Sequence, residues 1–267
     1  MANRAGRTRL KVRTRNLRYI LRAVTRWAIL SGLLAAGPFL AAGTTRIPLL
    51  RAYIAVFAAM LLVSMLAVDP GLAQERAHPQ AGGQDGGARF VAGFLFLVTV
   101  GFAAMDVGRL HQSDAVPIPV SIIALAVFAA ALGLQIWAMI VNPFFSPVIR
   151  VQSERGHHVI NCGPYRWIRH PGYLAMLVAI PASALAIGSW LALIPAAGFC
   201  VIIVRRVRME EEFLTHRLTG YVDYMQRVPW RLFPRVSLLS VRELVDTGGG
   251  PRCWFSKFGR RDHVHAK

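Results

Sequence analysis

Two short segments of this chain concentrate the side chains that do chemistry. The first is Gly163-Pro164-Tyr165-Arg166-Trp167-Ile168-Arg169-His170-Pro171-Gly172-Tyr173. The second is Arg205-Arg206-Val207-Arg208-Met209-Glu210-Glu211-Glu212. His170 precedes a proline, which favours an extended backbone there. Pro171 suits the first turn of a helix, where its missing N–H costs nothing. That helix start would present unpaired N–H groups and a positive dipole end, both favourable to an anion. Tyr165, Trp167 and Tyr173 supply rings that could stack on a base. The same rings and arginines would also serve as an interfacial belt at a bilayer boundary. In the second segment Arg206 and Glu210 lie one turn apart on a shared helix face. They are either part of a site or a surface ion pair worth about a few tenths of a kcal/mol.

The elements that must position these groups are apolar. Of 267 residues, 55% are hydrophobic and 16% charged, and several runs approach the roughly 20 residues that span a hydrocarbon core. The pattern predicts an all-α polytopic membrane protein with about six spans. Residues 1–26 form a basic arm. Spans over Trp27–Gly43, Tyr53–Val68, Phe90–Met105 and Val120–Val141 make up residues 27–141 with their loops. Residues 142–235 hold the candidate catalytic region, and 236–267 read as a polar tail. The run 172–204 fits two short spans with Gly188-Ser189-Trp190 at the tip and a kink at Pro181. The Gly- and Gln-rich loop 69–89 reads as flexible. The first run reads as a retained span, because it lacks a clear small-residue cleavage site.

The net charge of +18 would suggest nucleic acid in a soluble protein. Here the basic residues lie between and beyond the apolar runs, so anionic lipid and topology account for them. No nucleic-acid partner is expected. With an N-terminus inside and six spans, only Arg46, Arg51 and Arg109 of the 31 basic residues fall outside. This bias predicts cytoplasmic N- and C-termini and a cytoplasm-facing site. Three cysteines without a CxxC pair predict neither a zinc site nor a disulfide framework. His263 and His265 lack a third ligand, so no metal site is expected. His216 reads as surface, and Tyr221, Tyr224 and Trp230 as interfacial anchors.

In order and spacing, these segments resemble the isoprenylcysteine carboxyl methyltransferase family, membrane enzymes that use S-adenosylmethionine. The matching motifs are Asn142-Pro143-Phe144-Phe145-Ser146, Gln152, Arg155-Gly156-His157, the stretch from Gly163 to Tyr173, and Arg206-x-x-x-Glu210-Glu211-x-x-Leu214. Gly220-Tyr221-x-x-Tyr224 and Arg231-Leu232-x-Pro234 follow. The stretch from Asp69 to Arg76 also looks like the family's loop after an early span. The resemblance implies that Gln152, His157, His158, Val159 and Ile160 line the cofactor side of the loop. It implies that Tyr165, His170, Pro171, Gly172 and Tyr173 hold the cofactor at the helix start, and that Glu210 reaches it from the second arm. Arg206 would face the acceptor, and Arg206 and Glu210 would form the catalytic pair.

No Gly-rich strand-to-helix nucleotide fingerprint is present, so the soluble methyltransferase fold is not indicated. Methyl transfer from a sulfonium is an in-line displacement that needs alignment above all. A carboxylate acceptor is ionised at neutral pH and needs no base. The expected function is therefore methyl transfer from S-adenosylmethionine to a lipophilic, carboxylate-type acceptor delivered through the bilayer. The rivals are a phospholipid N- or thiol S-methyltransferase, a membrane reductase with a nicotinamide cofactor, and a non-catalytic membrane protein of the same fold. The Ala- and Arg-rich composition suggests a bacterial inner membrane. Oligomeric state is not legible.

Overall fold

The computed structural model of the protein describes residues 21, 24–80, 83–85, 87–112 and 116–233. Most of the basic arm, the polar tail with His263 and His265, and Pro234 lie outside the described residues. Four helices are long and apolar enough to cross a membrane. They are α1 (Val24–Ala42), α2 (Pro48–Ala67), α4 (Ala88–Met105, extended by a π turn Asp106–Leu110) and α5 (Ile118–Val141). Two further helices complete the predicted hairpin. α6 (Pro171–Ile187) is apolar but has only 17 residues, the short end of the spanning range of roughly 17–25. α7 (Leu193–Arg217) is apolar for its first half and carries the charged segment in its second. Two short helices, α3 (Pro70–Ala77) and α8 (Tyr221–Arg227), lie outside the apolar set.

Small side chains let these helices approach. The central cluster joins Ala103 and Ala104 of α4, Ala124 and Ala131 of α5, and Ala179, Ala182 and Ala186 of α6. In lipid, where apolar burial itself provides little drive, close van der Waals packing of small residues supplies the association. α6 packs against α5, α7, α4 and α2, which makes it the central post. The Tyr53 hydroxyl donates to Ser183 Oγ at 3.2 Å, joining α2 to α6 in the buried interior.

At the hairpin tip Gly188 takes φ +110°, a left-handed conformation that suits glycine. Ser189 then donates to the fully buried Asp106 at 2.5 Å, fastening the tip to the π turn. Pro181 lies inside α6 without ending it. Its absent N–H leaves the Leu177 carbonyl without its helical donor, and the Cys200 thiol approaches that oxygen at 3.9 Å. Cys200 is a free thiol, whereas Cys162 is disulfide-bonded, which sequence spacing did not announce.

The described parts of the loop expected to be flexible, α3 and residues 83–85, are instead built into the site. Asp69 accepts from the Gly71 N–H at 2.9 Å and Pro70 occupies the first turn, so α3 starts on a capped, preset backbone. Glu75 of α3 is buried and receives Arg150 through two hydrogen bonds, 3.0 and 2.7 Å, plus the Ser146 hydroxyl at 2.9 Å. Further along, the Gln84 N–H donates to the Ile149 carbonyl at 3.1 Å. The abundance of glycine and glutamine concealed these specific polar anchors.

Candidate functional site

The start of α6 and the charged half of α7 meet directly. The Tyr173 hydroxyl donates to Glu210 Oε2 at 2.6 Å and accepts from Arg206 Nε at 2.9 Å. Arg206 is buried, and Nη1 reaches Asp85 Oδ2 at 2.8 Å while Nη2 donates to the Pro147 carbonyl. The fork expected to meet an acceptor is therefore largely engaged within the protein. It binds α7 to the 83–85 segment and to the loop after α5, and it orients Tyr173.

These groups border a cavity of about 530 Å³. Of the residues singled out in the sequence, His157, His158, Val159, Ile160, Tyr165, His170, Gly172, Tyr173, Arg206 and Glu210 all lie on its wall. Gln152 and Pro171 do not. Gln152 is fully buried inside the loop, where Nε2 donates to the Phe144 carbonyl at 2.9 Å and Oε1 accepts from Arg155 at 2.6 Å. It shapes the loop rather than the cavity surface. Pro171 is buried in the first turn of α6, where it presets the backbone beneath His170 and Gly172.

Gly172 illustrates how close the wall is drawn. A Cβ there would stand 2.4 Å from the Phe145 ring, so only glycine lets the helix start and that ring coexist as they stand. Across the cavity Phe144 stacks on His157 with centroids 4.4 Å apart and meets His158 edge-on at 5.1 Å. The Gln152 N–H donates to His157 Nδ1 at 3.2 Å, which places the proton of the neutral imidazole on Nε2. Burial, then the neighbouring His158 and Arg150 charges, push the His157 pKa down to about 4. His157 is thus a neutral donor at physiological pH.

The three consecutive glutamates divide by helical geometry. Glu210 faces the cavity, and among the described residues its Oε1 has no hydrogen-bond partner. Glu211 is buried on another face, paired with Arg169 at 2.6 Å and with Arg231, and 3.4 Å from His170 Nε2. Glu212 is exposed, and His216, also exposed, meets its carbonyl at 2.8 Å.

Several wall residues escaped the sequence reading. Tyr221 and Tyr224 are buried cavity residues rather than interfacial anchors. The Tyr224 hydroxyl donates to the Tyr165 carbonyl at 2.7 Å, and Asn142 Nδ2 donates to the Tyr165 hydroxyl at 3.2 Å. The Tyr221 hydroxyl is buried without a hydrogen-bond partner among the described residues. The backbone beyond α8 turns back onto the entrance of α6: Arg169 N–H donates to the Trp230 carbonyl at 2.9 Å and His170 N–H to Arg231 at 3.0 Å. The repeated aromatic spacing Gly220-Tyr221-x-x-Tyr224 was the available signal. Arg76 closed the Asp69–Arg76 stretch singled out above but was given no role there, and Asp85 had less signal, being a single charge in a loop of loose composition.

Comparison with known proteins finds matches over part of this chain. Residues 122–216 match the model of the isoprenylcysteine carboxyl methyltransferase family. Over 89 residues the chain is 30% identical to the nickel-cobalt-cadmium resistance protein NccN of Alcaligenes xylosoxydans xylosoxydans. That alignment covers 33% of this chain and 41% of the relative, less than half of its length. The family match begins within α5 and runs to the end of α7, so it holds the loop, the hairpin and the Tyr173–Glu210 contact. The protein is an all-helical polytopic membrane protein whose residues 122–216 match the model of the isoprenylcysteine carboxyl methyltransferase family.

Proposed function

We propose that this protein transfers a methyl group from S-adenosylmethionine to a lipophilic carboxylate. The observation that carries the reading is the convergence of Tyr173, Arg206 and Glu210 on one aromatic-walled cavity inside the family domain. The residues present fit the cofactor. A volume of about 530 Å³ lies within the roughly 300–1,000 Å³ of small-molecule sites. Phe144, Tyr165, Tyr173, Tyr221 and Tyr224 offer ring faces to a base and to a cation. The open Oε1 of Glu210, the orphan Tyr221 hydroxyl and the His157 Nε2–H supply one acceptor and two donors for ribose and amino-acid groups.

When bound, S-adenosylmethionine supplies a methyl whose bond to sulfur breaks as a bond to an acceptor oxygen forms, leaving a thioether and a methyl ester with no proton moved. The protein's task is then orientation and exclusion of water. Glu210, held by Tyr173, fixes one side of the cavity. Arg206 acts as a positioning residue, since its N–H groups hold Tyr173, Asp85 and Pro147. No general base is required, because a carboxylate is already ionised at neutral pH.

The test is to incubate purified protein in lipid nanodiscs with methyl-labelled S-adenosylmethionine and a membrane lipid extract. The reading expects label in a base-labile, lipid-soluble ester. Label in an amine headgroup or a volatile thioether would replace the carboxylate with an N or S acceptor. Absence of cofactor binding by calorimetry would overturn the transferase reading. A site facing the cytoplasm, with both termini on that side of a bacterial inner membrane, completes the proposal.

A further inference from the structure

Five arginines border the cavity: Arg76, Arg89, Arg150, Arg169 and Arg206. Three spend their charge on buried carboxylates, Arg150 on Glu75, Arg169 on Glu211 and Arg206 on Asp85. Arg76 and Arg89 meet no carboxylate among the described residues. Arg89 lies over the exposed Phe90 ring at 4.5 Å. Arg76 is placed differently. Its guanidinium packs 5.3 Å from the Phe145 ring centroid and donates at 3.5 Å to the Phe145 carbonyl. Burial, then the nearby Arg206 charge, push it below the ordinary arginine range. A cation held this way, without a counter-ion, is arranged for an anion that arrives from elsewhere.

Arg76 also borders a second cavity, an apolar groove of about 510 Å³. Leu30 of α1, Phe57 and Met60 of α2, Phe128 and Met139 of α5, and Ala179 of α6 form its sides. Phe96, Gln135, Met176 and Ile180 share both cavities with Arg76, so the two spaces adjoin there. Gln135 is a half-buried amide on a membrane helix with no hydrogen-bond partner among the described residues. An intramembrane polar group without a partner marks a ligand pathway. One positive charge and one amide thus stand between a polar chamber and a lipid-lined slot.

We infer that Arg76, with Gln135, grips the anionic head of the methyl acceptor, whose apolar tail lies in the groove between α1, α2, α5 and α6. The occupant is a single-tailed amphiphile ending in a carboxylate. The inference deepens the transferase reading and rests on it for the reaction, but binding of the amphiphile can be measured without the cofactor. It also assigns the acceptor contact to a residue other than Arg206.

The experiment uses the full chain in nanodiscs with a diazirine-bearing palmitate as the probe. Photolabelled peptides are mapped by mass spectrometry, with palmitate and hexadecanol as competitors. Label is expected on the α2 and α5 faces of the groove, displaced by palmitate and far less by the uncharged alcohol. Arg76→Gln should lower labelling at least about tenfold, as loss of a charge-assisted contact does. Arg76→Lys should retain part of it. S-adenosylmethionine binding by Arg76→Gln should fall much less than amphiphile labelling does, because Arg76 stands where the cofactor cavity adjoins the groove. Equal labelling of parent and Arg76→Gln, equal competition by hexadecanol, or label mapping elsewhere would each overturn the assignment. So would loss of cofactor binding together with labelling, which would make Arg76 a structural residue. If palmitate labels the groove as expected but the parent chain binds no S-adenosylmethionine, the binding site stands and the transferase reading falls.

Discussion

At the scale of single residues, helical register separates binding from stability. Glu210 and Glu211 are adjacent in sequence yet face different surroundings, an open cavity and a buried cluster with Arg169. Glu211→Ala leaves Arg169 buried with one carbonyl partner, that of Val228. Breaking such a pair costs about 3–5 kcal/mol, so this variant should lose thermal stability in detergent. Glu210→Gln should melt close to the parent and lose cofactor affinity, and a matched loss of melting temperature in both would sink the distinction. Tyr173→Phe removes only the hydroxyl that joins Arg206 to Glu210. A hydrogen bond to a charged group contributes about 1.5–3 kcal/mol, so cofactor binding should weaken roughly tenfold or more by calorimetry. The sequence displayed Tyr173 and Glu210 through type and spacing. It could not display that Gln152 turns inward, because which way an amide points depends on the turn Ser153–Arg155 and its neighbours.

His157 extends the argument to pH. Its pKa falls from an ordinary 6.5 to about 4 in the folded loop, chiefly through burial. The unfolded loop therefore binds more protons below pH 6.5, and loop stability declines as pH falls from there toward 4. Protection factors of residues 150–160, corrected for the intrinsic pH dependence of amide exchange, should fall across that window. His157→Gln, which cannot titrate, should flatten the trend. An unchanged pH dependence in that variant would remove His157 as its source.

At the scale of elements, the hairpin was legible and the docking of α3 was not. Apolar length, Pro171 and the glycine at 188 announce α6 and α7 because each acts through local backbone geometry. The placement of α3 and of Gln84 depends on partners some seventy residues away, Glu75 with Arg150 and Gln84 with Ile149. Burial alone would raise the Glu75 carboxyl, but Arg150 and Ser146 hold it below the ordinary range. Arg150 is therefore left buried and uncompensated on one side when Glu75 is truncated. Glu75→Ala should release the segment: limited proteolysis should cut near residues 78–87, and Asp85 should lose its hold on Arg206. Glu75→Gln, which retains hydrogen bonding but not charge, should fall between. Resistance to protease in the alanine variant would show that α3 is held by packing alone.

At the scale of the whole molecule, charge counting and folding give independent accounts of which ends lie together. The basic bias assigns the 69–89 and 142–170 segments and the end of α7 to one side. The structure joins those same segments through Glu75–Arg150 and Asp85–Arg206. The opposite side should hold the end of α1, the π turn and the hairpin tip. There Arg109 donates to Leu40 at 3.1 Å and Ser189 to Asp106. Membrane-impermeant maleimide labelling tests this assignment. Thr45 and Ser153 are both exposed and stand at the two ends. Thr45→Cys should label in intact cells above the parent background, and Ser153→Cys only after permeabilisation. The reverse pattern would turn the cavity outward, away from the cytoplasm, and a cytoplasmic site would no longer hold.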